Sequence, residues 1–214
     1  MFRSFAAAEE DYCYDQGNYQ NGESNCGYFC LRIASEIVLG RVFDKAERKT
    51  FTNEFLGMCL VSGQRISESS AQFNEKFPEI DVYFKTEEAN EYSPEAVVTK
   101  LDAGHQVLVL NIQNMNFSGN KFVKGRFGHN ICCVGHEDGK LIFKDSNKYD
   151  GKCKKTMDVS ILQAGYDALK DAKDIDTRAR ALRQHPTHIS EMFWTTREKP
   201  VRSTTIRRSR RRHG

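Results

Sequence analysis

The stretch "GHNICCVGHEDGKLIFKDSN", Gly128 to Asn147, decides the fold. Two apolar runs, "HNICCVGH" and "KLIFKDS", flank Glu137, Asp138 and Gly139. An acidic–glycine pair between such runs is turn chemistry, so the stretch reads as an antiparallel hairpin. Folding the chain at 137–139 returns Asp145 to the level of 129–131. An imidazole, His129, and a carboxylate, Asp145, then meet at one end of a sheet.

Working outward, "QVLVLNI" (106–112) is a continuous apolar strand and "HISEMFWTT" (188–196) a last one. "EIDVYFK" (79–85) reads as a strand by its alternation. A loop rich in Asn, Lys and Gly is expected after 112. "SPEAVVTKLDAG" (93–104) carries a Ser cap, a Pro in the first turn and a terminal Gly, all helix signals. A helix should start near Cys26: Phe29, Ile33 and Ile37 form a stripe at i, i+4 spacing, with Cys30, Ala34 and Val38 beside it. Ser24 or Asn25 is placed to cap it, and Gly40 to close it. More helix is expected over 44–60, 67–77 and 156–183, the last with Leu162, Tyr166 and Leu169 on one face. Residues 1–24 read as an irregular lead-in. Helices first and antiparallel strands afterwards make an α+β chain, an N-terminal helical part packed on an antiparallel sheet.

A length of 214 residues with 39% hydrophobic content suits one domain. We assign it to residues 1–198. Lys199 and six Arg, against no acid, give residues 199–214 a charge of +7, which leaves −4 of the net +3 for residues 1–198. This tail has little to bury and is expected to be disordered. Its partner would be anionic (nucleic acid, a membrane surface) or a nuclear-import receptor; a plain solubilising tail is the alternative. No apolar run approaches the ~20 residues that span a bilayer. The N-terminus lacks the apolar core of a secretory signal, although a specialised secretion system would leave no such mark. Seven cysteines at no framework spacing favour a reducing, cytosol-like compartment, with Cys59 and Cys153 as packing or surface thiols.

The cysteines divide by position. Cys26 sits at a helix N-terminus, where exposed amides and the helix dipole favour a thiolate. Cys30 is one turn inside, on the apolar stripe, and reads as a small hydrophobe. Gly27 would let a substrate backbone come close. A thiolate that transfers acyl groups needs an imidazole held by a third group. Among six histidines, His129 has Asp145 at hairpin distance. His105 lacks such an acid, His136 lies near the turn, and His185, His188 and His213 lie far downstream. The oxyanion needs donors: the Cys26 backbone N–H and a side-chain amide, Gln20 before Gln16. Adjacent Cys132 and Cys133 point to opposite faces of a strand and suit no shared metal. No cofactor is expected.

The order Cys, His, Asp, with Gln20 six residues before Cys26, resembles papain-like cysteine peptidases. "QNGESNCGYFCLRIASEIVLG", "LDAGHQVLVLNI" and "GHNICCVGHEDGKLIFKDSN" are similar to the compact leader-peptide peptidase domains of bacteriocin exporters. The local motifs also resemble ubiquitin-like-protein proteases, in circular permutation. The resemblance covers about 20–40 and 95–147, and departs from papain itself in placing Gly27, not an aromatic, after the cysteine. Small, otherwise orphan chains of this kind resemble bacterial effectors delivered into host cytosol. The resemblance implies a Cys26 nucleophile, a His129 base, an orienting Asp145 and a Gln20 oxyanion donor. It further implies hydrolysis of a peptide or isopeptide bond in a protein substrate. The same triad serves a glutamine deamidase or transglutaminase. A non-catalytic binding module and a cell-wall amidase are the remaining alternatives. The catalytic reading requires an accessible Cys26 within a side chain's reach of His129.

Overall fold

The computed structural model describes residues 26–47, 49–50, 66–87, 92–118, 121–124, 128–145, 153–184 and 187–197. Chain order is α1 (Cys26–Leu39), α2 (Ile66–Lys76), a 3-10 turn (Pro78–Ile80), β1 (Tyr83–Lys85), α3 (Pro94–Asp102), β2 (Leu108–Gln113), β3 (Met115–Ser118), β4 (Lys121–Lys124), β5 (His129–Glu137), β6 (Lys140–Lys144), β7 (Lys154–Asp158), α4 (Val159–Lys170), α5 (Ile175–Gln184) and β8 (His188–Thr196). The fold is α+β. Among the described residues, six antiparallel strands form one sheet in the order β1-β8-β2-β5-β6-β7.

Strand alternation splits this sheet between two cores. Val107, Val109, Cys132 and Val134 pack with Phe29, Ile33 and Ile37 of α1 and Phe73 of α2. Their neighbours Leu108, Leu110, Ile131 and Cys133 pack with Val97 of α3 and Leu162 of α4. A sheet covered on both faces explains why its central strands read as continuous apolar runs.

The β5–β6 hairpin turns at Asp138 and Gly139, at φ 50° and 72°. Two positive φ values in a two-residue loop match the right-handed twist of the strands. Glu137 pairs with Lys140, and one extra residue bulges between Cys133 and Gly135. Helix ends follow their local chemistry. The Ser93 hydroxyl accepts from Ala96 N at 3.1 Å. After α1, Gly40 takes φ 67°, with Gly40 N on Ile37 O (3.1 Å) and Arg41 N on Glu36 O (3.2 Å). That pair of bonds satisfies the last carbonyls of the helix.

Four expectations need correction. Only Tyr83–Lys85 of the 79–85 stretch is strand; Pro78 opens a 3-10 turn and Asp81 turns left-handed at φ 55°. The loop expected after 112 contains the β3–β4 hairpin. The 156–183 window is a strand and two helices. Lys155 and Met157 point inward while Lys154, Thr156 and Asp158 stay exposed, a period of two hidden by the charges. Asp174 then starts a new helix by accepting from the N–H of Asp176 (2.9 Å) and Thr177 (2.8 Å). Finally, Cys153 is not a free thiol: it is buried and disulfide-bonded to a partner outside the described residues. The expected 44–60 helix is seen only at 45–47 and 49–50. The lead-in, the caps Ser24 and Asn25, Cys59 and the 199–214 tail lie outside the described residues. Among those described, no helix is long and apolar enough to cross a membrane.

Candidate active site

Cys26 is the first residue of α1 and is half-buried, not sealed. The helix is held against β5 by its apolar stripe, so its N-terminus abuts the start of that strand. His129 opens β5, and Asp145 follows β6. Cys132 pairs with Lys144, so Asp145 stands one register step on and diagonal to His129. His129 Nε2–H donates to Asp145 Oδ1 at 2.8 Å, and the carboxylate is almost wholly buried. Asp145 N in turn donates to Cys153 O at 2.8 Å, which ties the carboxylate's backbone to the start of β7. With Nε2 engaged, Nδ1 is the ring nitrogen left for its hydrogen bond with Cys26.

The protonation states follow from this geometry. Burial pushes the Cys26 thiol up. The hydrogen bond and charge of His129, together with the backbone N–H of Asn130 on the sulfur, outweigh that push and the repulsion of Asp145, so the thiol lies below its ordinary 9.0. Burial pulls His129 down, but the charge and hydrogen bond of Asp145, then Cys26, carry it well above 6.5. Both shifts run in the direction that favours a thiolate beside an imidazolium.

Cys30, one turn on, behaves in the opposite way. Burial first, then its hydrogen bond and repulsion with Cys132, drive it well above 9.0. Burial likewise pushes Cys133 up to about 12. The structure thus brings together Cys26, His129 and Asp145, and buries the Cys30, Cys132 and Cys133 thiols in the cores. Gln20 and Gln16 lie outside the described residues, as do His185 and His213. His105 lies beside Trp194, ring centres 6.1 Å apart, and His136 pairs with Asp102 at the far end of β5. His188 is buried at the start of β8.

Gly27 has a different role from the one expected. It is buried, and a Cβ there would lie 3.0 Å from Asn130 Nδ2 and 3.8 Å from Ser69 Oγ. The missing side chain makes room for the protein's own carboxamide, not for substrate.

Sequence reasoning missed Asn130 and the polar groups behind it. Asn111 and Asn130 face each other across β2 and β5, and Asn111 Nδ2 donates to Asn130 Oδ1 at 2.6 Å. Gln113 Nε2 and the Ser190 hydroxyl both donate to Asn111 Oδ1, the latter at 3.0 Å. The available signal was an Asn inside each of two apolar runs, "VLVLNI" and "HNICCV": a buried amide needs a partner, and each is the other's.

No protein-family model matches the sequence, and no curated protein matches it.

Proposed function

We propose that the chain is a papain-like cysteine hydrolase that cleaves a peptide or isopeptide bond in a protein substrate. The observation that carries this reading is the convergence of Cys26, at a helix N-terminus, with the His129–Asp145 pair bonded at 2.8 Å. The Cys26 sulfur attacks the carbonyl carbon and the C–O π electrons move to oxygen. The helix N-terminal N–H of Cys26 faces the resulting oxyanion, with Gln20 as the second donor. As the C–N bond breaks, His129 gives its proton to the leaving amine. A thioester remains on Cys26. Water then attacks it, His129 takes the water proton, and the thiolate leaves with a carboxylic acid product. Asp145 keeps the ring oriented and supports its positive charge throughout. A bacterial effector working on host proteins fits this chemistry, with Cys26 free to act as nucleophile while Cys153 is held in a disulfide.

Iodoacetamide at pH 6, mapped by mass, tests the nucleophile. Selective labelling of Cys26 over Cys30, Cys132 and Cys133 is expected; uniform or absent labelling would favour a binding module. A panel of ubiquitin-like activity probes, read by intact mass, tests the substrate class. An adduct on wild type and none on Cys26→Ala supports isopeptide cleavage.

A further inference from the structure

Behind the thiol lies a row of amides that the triad does not use. Gln113 Nε2 donates to Asn111 Oδ1, and Asn111 Nδ2 donates to Asn130 Oδ1 at 2.6 Å. Ser190 steadies the middle of the row from β8, donating to Asn111 O at 3.3 Å and Asn111 Oδ1 at 3.0 Å. Each carboxamide accepts from the one before it, so the dipoles align head to tail. The last positive end, Asn130 Nδ2, is directed at the first turn of α1 beside Gly27. Asn130 is only 5% exposed. Two glycines admit this row. A Cβ at Gly27 would crowd Asn130 Nδ2 at 3.0 Å, and one at Gly128, just before the imidazole, would meet Gln113 Nε2 at 2.6 Å and Asn111 Oδ1 at 2.8 Å.

Resting on the reading of Cys26 as nucleophile, we infer that Asn130 is a positioning residue for it. The Gln113–Asn111–Asn130 row fixes the start of β5 so that the Asn130 backbone N–H stays on the Cys26 sulfur, and it turns an aligned set of amide dipoles toward the first turn of α1, which carries that sulfur. An aligned hydrogen-bonded chain polarises its own members, and the row runs from half-buried Gln113 and Asn111 to buried Asn130, where screening is weakest. The row therefore favours the thiolate over the thiol and does so without a net charge.

Other groups packed at this end are fixed in the comparison. His129 and Asp145 flank the sulfur, and the Cys30 and Cys132 thiols lie beneath it. Glu191 of β8 accepts from Ile66 N at 3.0 Å and Ser67 Oγ at 3.2 Å, and Glu68 stands in the first turn of α2.

The test is the pH profile of iodoacetamide alkylation at Cys26 in the full chain, read by mass, with a thermal melt of each variant. Asn111→Leu keeps the volume and deletes the middle of the row without touching the triad. It should raise the midpoint of the Cys26 profile by about one pH unit, a tenfold loss of thiolate below the midpoint. Asn130→Asp is isosteric, still accepts from Asn111, and replaces the positive end with a carboxylate oxygen. It should move the midpoint up further, and it decides the matter if Asn111→Leu does not fold. A folded variant whose midpoint stays within 0.2 units (roughly the precision of a tenfold-per-unit profile) of wild type overturns the inference. A wild-type midpoint at the ordinary thiol value would instead overturn the nucleophile reading itself, whatever the variants do.

Discussion

His129–Asp145 and His136–Asp102 are two pairs of one chemistry on one strand, 2.8 and 2.9 Å long. They sit at opposite ends of β5 and differ in everything but distance. The first pair has side-chain exposures of 14% and 1%, the second 35% and 65%. Water screens the second pair, so its attraction is nearly offset by the cost of holding two side chains still. In the first pair, burial removes the screening, and a thiol at a helix N-terminus stands on the other side of the ring. An imidazole–carboxylate contact is therefore not a site in itself. Desolvation and a third group make it one.

The sharpest way to break this contrast is to delete each imidazole. Cys26→Ala and His129→Ala should abolish turnover of a probe substrate, a loss of at least ~10³-fold. His136→Ala should leave the rate within about twofold and cost under ~1 kcal/mol in a denaturant melt. Equal losses from both histidine variants would mean that β5 acts as a whole and that the first pair has no special chemistry.

The carboxylates come next. Asp145→Asn keeps the shape and should lower the rate by about 10²–10⁴-fold, while Asp102→Asn leaves it unchanged. The pH profile gives a signed check. Lowering Cys26 and raising His129 both favour thiolate and imidazolium over thiol and neutral imidazole. The acid limb of the profile therefore reports Cys26 and the alkaline limb His129. Asp145 is the first group that holds His129 up, so Asp145→Asn should draw the alkaline limb down toward neutrality. An unmoved limb would show that the carboxylate does not support the positive charge of the ring.

The two ends also differ in how far the sequence disclosed them. The turn pair Asp138-Gly139 fixed the hairpin, and the hairpin fixed the approach of Asp145 to His129, because local turn chemistry sets register. The positions of Cys26 and Cys30 on α1 likewise followed from helical period alone. What escaped was long-range pairing. That Asn111 lies opposite Asn130 depends on β2 and β5 being neighbours, and no local signal states which strands adjoin. Gly27 was misread for the same reason: its glycine serves a carboxamide more than a hundred residues away in the chain. At 154–158, charge concealed a strand, since buried Lys155 breaks the apolar pattern that would have shown it.

Glycines at the two ends should separate stability from reactivity. Gly139 stands at φ 72° with open space around it, so Gly139→Ala strains the turn by about 1 kcal/mol and leaves Cys26 alkylation unchanged. Gly27→Ala does the reverse. Alanine is the better helix former by roughly 0.5–1 kcal/mol, but its Cβ meets Asn130 Nδ2 at 3.0 Å and pushes the carboxamide from its place. Melting should change little while the alkylation rate at pH 6 falls severalfold. A Gly27→Ala protein that labels like wild type would show that the space beside α1 is not needed for reactivity.

The smallest effect is the pH dependence of stability, and its sign is fixed. The folded value of His129 lies above its unfolded 6.5, so folding takes up protons over the interval between them. Its contribution is fully present below 6.5 and fades as pH rises through the folded value. Cys26 is shifted the other way: its contribution is present above 9.0 and fades as pH falls through its lowered value. Melts of wild type and His129→Gln, taken from pH 5 upward, should therefore differ most at the acid end and converge as His129 loses its proton. His136→Gln, at the exposed end of the same strand, should run within about 1 kcal/mol of wild type. A gap between wild type and His129→Gln that widened with pH would mean that the ring folds neutral, and with a neutral ring there is no imidazolium to hold the sulfur as thiolate.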